Sequence, residues 1–139
     1  MKIIVLLFLA LVLCSNSCEK APFVDKFYDI IVINNSSRDV YVHKADLDAE
    51  KQYPDTLLPS SNATFLKIPA NKRGYFDSKT PWEENIKNLP SDTLSVFFID
   101  GSTFENEEWD TIRDNYLILE RYDFSIEDLK KSNFTITYP

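Results

Sequence analysis

Between residues 27 and 138 the apolar side chains fall in runs of a few residues, rich in β-branched and aromatic types and separated by turn chemistry. Runs that short make strands rather than long helices. "FYDIIVI" (27–33) reads as a buried strand. "NNSSRD" (34–39) is turn chemistry, and "VYVH" (40–43) alternates, so the two runs are expected to pair as a hairpin. "TFLKI" (64–68) and "KRGYF" (72–76) predict two more strands around the corner Pro69-Ala70-Asn71. "TLSVFFI" (93–99) has the composition of a central strand, and "YLILERY" (116–122) predicts another. "FTITY" (134–138) alternates, with Phe134, Ile136 and Tyr138 on one face.

Helical signals are confined to the connections. In "TPWE" (80–83) Thr80 can cap, Pro81 suits the first helical position and Glu83 completes a capping box. "STFENEEWDTIRDN" (102–115) is expected to be one helix with Phe104, Trp109, Ile112 and Tyr116 near one face. "SIEDLKK" (125–131) has Ser125 and Asp128 in capping-box spacing and two lysines at its end. The resulting expectation is a mainly β fold, an antiparallel β-sandwich with two or three short helices in connections. The alternative is an α+β layer with helices on one antiparallel sheet.

The start of the chain follows different rules. Met1-Lys2 precedes an unbroken apolar run of twelve residues, Ile3 to Cys14. A membrane-spanning helix needs about 20; twelve fits the apolar region of a secretory signal peptide. Ser15-Asn16-Ser17 then leads to Cys18 and the charged Glu19-Lys20. Small residues before a cysteine resemble the cleavage site of a bacterial lipoprotein signal. The resemblance implies that Cys18 becomes a lipidated N-terminus, although Ser15 and Ser17 stand where such sites usually carry Leu and Ala or Gly. Bulky Leu13 makes Cys14 the poorer candidate. The expected division is a signal peptide at 1–17, lipidated Cys18 with a short tether to residue 26, and one globular domain over 27–139. Both cysteines would then be used or lost before the domain begins, leaving it neither a disulfide nor a thiol nucleophile.

The tail "WDTIRDNYLILERYDFSIEDLKKSNFTITYP" resembles the ending of small lipoproteins from Bacteroides and related gut bacteria, a group with no assigned activity. Their pattern is W-x-x-I-R, I-L-x-R-Y, D-L-x-x-x-N and a final I-x-Y-P, matched here by Trp109, Ile112, Arg113, Ile118, Leu119, Arg121, Tyr122, Asp128, Leu129, Asn133, Ile136, Tyr138 and Pro139. Phe134 stands where many members carry Trp. The likeness covers the lipoprotein-like start and this tail. It implies an envelope address, at the outer membrane, and no chemistry. Exported proteins of the same bacteria are O-glycosylated at Asp-Ser/Thr-apolar triplets, of which residues 55–57, 92–94 and 110–112 are three.

Composition excludes several function classes. The formal net charge is −7, and removing residues 1–17 takes one lysine (Lys2) and no acid, giving −8. Such a surface repels phosphate backbones, so no nucleic-acid partner is expected. With two glycines, Gly74 and Gly101, no phosphate-cradling loop, dinucleotide fingerprint or G-x-S-x-G elbow can be written. The single histidine, His43, rules out a histidine-rich zinc site, and it is expected to be exposed, opposite Val40 and Val42. The acidic stretches at 46–50 and 100–108 do not follow a calcium-loop pattern. The four N-x-S/T sequons, at Asn34, Asn35, Asn62 and Asn133, have no role in a bacterial lipoprotein. Trp82 and Trp109 are expected in the core rather than as a sugar platform. Neither cofactor nor metal is expected.

What remains is a non-enzymatic, lipid-anchored interaction or structural module of the cell envelope. Two alternatives stay open: a carboxylate-based glycan hydrolase, and a small accessory or immunity-type protein that binds one envelope protein. The expected partners are the membrane, through the lipid, and an envelope protein or glycan. The long aperiodic connection at 44–61 is the expected binding segment. It carries Asp46, Asp48 and Asp55, which suit a basic partner or a cation, and Tyr53 as an apolar anchor.

Overall fold

A computed structural model describes residues 28–45, 53–62, 64–89 and 91–139. Among them the chain forms seven strands and four short helices. The strands are β1 (Tyr28–Asn34), β2 (Val40–Ala45), β3 (Leu66–Ile68), β4 (Arg73–Ser78), β5 (Leu94–Asp100), β6 (Glu120–Phe124) and β7 (Thr135–Tyr138). The helices are α1 (Trp82–Lys87), α2 (Gly101–Asn106), α3 (Trp109–Asp114) and α4 (Ile126–Lys131). The fold is mostly β, with helices in the connections. Sheet A has the order β4-β1-β7 and sheet B the order β3-β2-β5-β6. One pair departs from the antiparallel expectation: β7 lies parallel to β1, with Ile31 opposite Thr135 and Asn34 opposite Tyr138.

The two sheets face each other across one apolar core. Ile30, Val32, Phe76 and Ile136 of sheet A meet Val40, Val42, Ile68, Leu94, Val96 and Phe98 of sheet B. Trp82 and Ile86 of α1 and Leu129 of α4 belong to the same cluster. The opposite face of sheet B is covered as well. There Ala45, Phe97 and Ile99 pack with Leu58 and with Ile112 of α3. Burial on both faces explains why β5 reads as an unbroken apolar run rather than an alternating one. The helices over sheet B also realise part of the α+β alternative.

The expected hairpin of β1 and β2 does not form. The two strands belong to different sheets, and so do β3 and β4. Each pair is joined by an arch over the end of the sandwich, and the arches are tied to each other. Asn34 N–H donates to the Lys72 carbonyl (2.9 Å), Asn71 N–H to the Ser36 carbonyl (3.2 Å) and Ala70 N–H to Asp39 (3.0 Å). Fully buried Asn34 organises them. Its amide nitrogen reaches the carbonyls of Arg38, Ile68 and Pro69, and its oxygen accepts from the backbone and hydroxyl of Ser36.

Helix boundaries depart from expectation in two places. Pro81 is the N-cap of α1 rather than its first helical residue, and no side chain caps that end. Ser78 is the local organiser instead, accepting from Thr80 N–H and the Asn85 amide. The segment expected as one helix over 102–115 divides at extended Glu107. In a continuous helix, positions five apart point about 140° away from each other. The break lets Phe104 and Trp109 both pack on Phe65, each at 5.1 Å between ring centroids. The capping box of Ser125 and Asp128 forms as expected.

Candidate functional site

The far face of sheet B carries the features of a binding site. Four large apolar side chains are exposed there or beside it: Tyr53 (39%), Leu57 (43%), Tyr116 (45%) and Leu117 (39%). Large apolar side chains brought together at the surface are the usual mark of an interaction site. They come from two segments distant in sequence, 53–62 and the turn that follows α3.

The first segment is pinned across the sheet. Thr56 is buried, its hydroxyl 3.1 Å from that of buried Ser95, and Leu58 enters the core beside Phe97. Ser91 donates to the Tyr53 carbonyl (2.7 Å) and Arg121 to the Pro54 carbonyl (3.1 Å). Trp109 donates its indole N–H to the Pro59 carbonyl (3.2 Å). The second segment is set by the end of α3. Tyr116 N–H donates to the Arg113 carbonyl (3.2 Å) and Leu117 N–H to the Ile112 carbonyl (2.9 Å), which is a Schellman closure. The left-handed position of that closure usually holds Gly or Asn; here it holds Tyr116, with φ of 53°. A bulky residue in this region costs about 1–2 kcal/mol.

Arg121 joins the two segments. Its guanidinium lies 6.0 Å from the Tyr53 ring and 5.5 Å from the Phe97 ring, within reach for cation–π attraction. It pairs with Asp123 (3.0 Å), while Asp123 also accepts from Ser95 (2.6 Å). Burial pulls the guanidinium pKa down, but Asp123 and the nearby Tyr116 outweigh it and hold the pKa above its ordinary value. Beside this cluster a cleft of about 240 Å³ is lined by Leu57, Leu58, Ser60, Arg113, Asp114 and Tyr116. Arg113 at its rim pairs with Asp110 (3.1 Å) and Asp114 (3.0 Å).

A second polar cluster lies on the other side of α2. Glu105 accepts from Lys67 (2.6 Å) and from Tyr41 (2.9 Å), whose ring stacks on Phe104 at 3.9 Å. Lys67 holds the Glu105 carboxyl below its usual range. Burial and Glu105 together raise the Tyr41 hydroxyl. This arrangement fastens α2 to strands β2 and β3.

The sequence-predicted residues divide accordingly. Tyr53 and Asp55 are described and exposed, Tyr53 within the Arg121 cluster and Asp55 just before Thr56. Asp46, Asp48 and Cys18 lie outside the described residues, as do the signal peptide and tether. His43 is on the expected face of β2 but is buried (7%), against the expectation of exposure. The aromatic layer covers it: its ring stacks on Phe65 at 5.0 Å, and its Nδ1 lies 3.0 Å from the Thr64 hydroxyl. Trp82 is buried and donates to the Tyr28 carbonyl (3.0 Å), and Trp109 is half-buried, so both serve packing. Of the Asp-Thr-apolar triplets, Thr56 is buried, the Thr93 hydroxyl donates to the Ser91 carbonyl (2.8 Å), and Thr111 is exposed on α3.

Arg121, Tyr116 and Leu57 were not identified as site residues from sequence. The resemblance marks Arg121 within I-L-x-R-Y, but nothing in the pattern says that it faces Tyr53 across the sheet. Among the described residues, no group of His, Cys, Asp and Glu side chains is placed to hold a metal ion, and no helix is long and apolar enough to cross a membrane. No protein-family model matches the chain, nor does any curated protein or solved structure.

Proposed function

We propose that the chain is a lipid-anchored protein of the bacterial cell envelope, at the outer membrane, and that it acts as a non-enzymatic interaction module. The observation that carries the address is the twelve-residue apolar run followed by small residues and Cys18. The tail pattern shared with small Bacteroides-type lipoproteins supports it. Each buried CH₂ of an anchor contributes about 0.8 kcal/mol, and two or more acyl chains hold stably. A tether of eight residues, Glu19–Lys26, reaches at most roughly 26–29 Å, so the domain sits close to its membrane.

The interaction role rests on the exposed Tyr53, Leu57 and Tyr116 at the Arg121 cluster and the cleft beside it. Binding is favoured over glycan hydrolysis by the state of the carboxylates. A general acid needs a raised pKa. Among the described residues, the carboxylates that depart from ordinary values, Asp100, Glu105 and Asp128, are all lowered, by hydrogen bonds to Ser102, Lys67 and Ser125 respectively. Asp114 at the cleft and Asp123 in the Arg121 cluster are each tied to an arginine.

The anchoring is tested by metabolic palmitate labelling. Label should disappear in Cys18→Ala and persist in Cys14→Ala. Label retained in Cys18→Ala would remove the anchor from this reading.

A further inference from the structure

We infer that the cleft beside Tyr116 takes a cationic peptide segment, one large apolar side chain seated between Leu57 and Tyr116 and flanked by lysine or arginine. This rests on reading the cleft as a binding surface and names its occupant.

Size is the first argument. About 240 Å³ is below the 300–1,000 Å³ usual for small-molecule and cofactor sites, and suits a side chain better than a whole ligand. The walls are Leu57, Leu58 and Tyr116, so the seat itself is apolar. The second argument is backbone strain at the wall. Tyr116 holds a left-handed conformation that Gly or Asn would adopt more easily, and its ring stands edge-on to Phe97 at 6.4 Å. Strain retained by an exposed aromatic residue beside a cleft points to use of its side chain.

Charge then selects the occupant. The stretch 53–62, α3 with its following turn (109–117), and Arg121 and Asp123 of β6 carry four carboxylates, Asp55, Asp110, Asp114 and Asp123, against two arginines and no lysine. Both arginines are already paired, Arg121 with Asp123 and Arg113 with Asp110 and Asp114. Asp110 and Asp114 remain 78% and 65% exposed, so each can accept a further cation. This excess of negative charge attracts a basic partner and opposes docking of a second copy of the same acidic surface.

The test uses the full-length protein in nanodiscs of zwitterionic lipid and three synthetic peptides, titrated by fluorescence anisotropy. The probes are Lys-Lys-Leu-Lys-Lys, Glu-Glu-Leu-Glu-Glu and Lys-Lys-Ser-Lys-Lys, each capped at both ends and labelled through the same linker. The leucine-lysine peptide should bind at least about tenfold more tightly than either control, a difference of about 1.4 kcal/mol. Its affinity should fall as salt is raised. It should also fall in Leu57→Ser, whose parent side chain is exposed, and in the charge variant Asp114→Asn, with thermal melts confirming that both are folded. Equal binding of the serine peptide would show attraction without a seat and overturn the inference. Equal or tighter binding of the glutamate peptide would overturn the cationic class while leaving an apolar binding cleft standing. Binding by none of the three would overturn the assigned occupant, and leaves the palmitate test of the anchor unaffected.

Discussion

Asn34 shows how one polar side chain can decide a topology. Its sequence context, "NNSSRD", announces a turn and says nothing about which sheet the chain enters next. The amide at the centre of the two arches makes that choice, by bonding the carbonyls of Ile68 and Pro69 some 35 residues away. Leaving a buried acceptor unpaired costs about 1–3 kcal/mol. Asn34→Ala should therefore lower the urea midpoint without changing the slope of the transition. Asn34→Asp should do worse, because it turns a carboxylate toward three carbonyls. An Asn34→Asp protein as stable as the parent would show that the arches hold without the amide. Asp100 makes a different use of a polar group. It caps α2 by accepting from Ser102 N–H (2.9 Å) and Thr103 N–H (3.2 Å), and it pairs with Arg38 (3.0 Å). The Ser102 hydroxyl, ahead of Arg38, holds its pKa below the ordinary 3.8. A lowered folded-state pKa stabilises the protein above the unfolded value, and that stability is lost as pH falls through the lowered value. Asp100→Asn keeps a good cap and removes the charge. The parent should melt higher than Asp100→Asn at neutral pH, and the gap should close on acidification below pH 3.8. A gap that is constant with pH would assign the effect to geometry rather than charge.

At the scale of elements, strands and most helix ends were legible, and the break inside the segment 102–115 was not. Strand positions follow from composition, and β1, β2, β3, β4, β5 and β7 lie within one or two residues of where the apolar runs predict them. The strand expected at 116–122 forms at Glu120–Phe124, because Tyr116 to Leu119 are consumed in closing α3 and returning to β5 through the Leu119 N–H to Phe98 carbonyl bond (2.8 Å). The helix ends where its sequence pattern ends, at residues 114–115, but no glycine marks the left-handed closure after it, so the apolar run from Tyr116 reads as strand. The same closure at the end of α4 uses Asn133, with Phe134 N–H reaching the Leu129 carbonyl (2.6 Å), and Asn is a residue the left-handed region tolerates. The candidate site was half visible for the same reason. Tyr53 and Asp55 stand in a conspicuous connection, whereas Tyr116 becomes a site residue only because a helix ends on it. Substitution at Tyr116 isolates the backbone contribution. Tyr116→Asn should tolerate the left-handed conformation, and Tyr116→Val should lose about 1–2 kcal/mol more in urea unfolding. Equal losses would show that the turn relaxes and that no strain is held at this position.

At the scale of the whole molecule, the C-terminal segment ties the two sheets together. β7 occupies one edge of sheet A, beside β1, and Ile136 enters the shared core. Tyr138 crosses to sheet B, stacking on Phe98 at 4.9 Å, and half-buried Phe134 packs on the same core. The chain thus reaches its end by joining its first described strand to its central one. Contacts so far apart in sequence close the sandwich as one cooperative unit, so losing them should affect both sheets. Fully burying a side chain such as Ile136 contributes about 1.5–3 kcal/mol, and the partly buried Phe134 and Tyr138 add smaller shares. Their sum is comparable with the about 5–15 kcal/mol by which a domain is stable at all. Truncation after Ser132 should accordingly abolish a cooperative melt, and milder Ile136→Ala should lower the midpoint while keeping a single transition. Near-ultraviolet circular dichroism of the truncated chain should lose the signal of its packed aromatic rings, from Phe98 in sheet B as well as from sheet A. A truncated chain that melts like the parent, with its aromatic signal intact, would show that β7 is an appendage and that sheet B and its cleft stand without it.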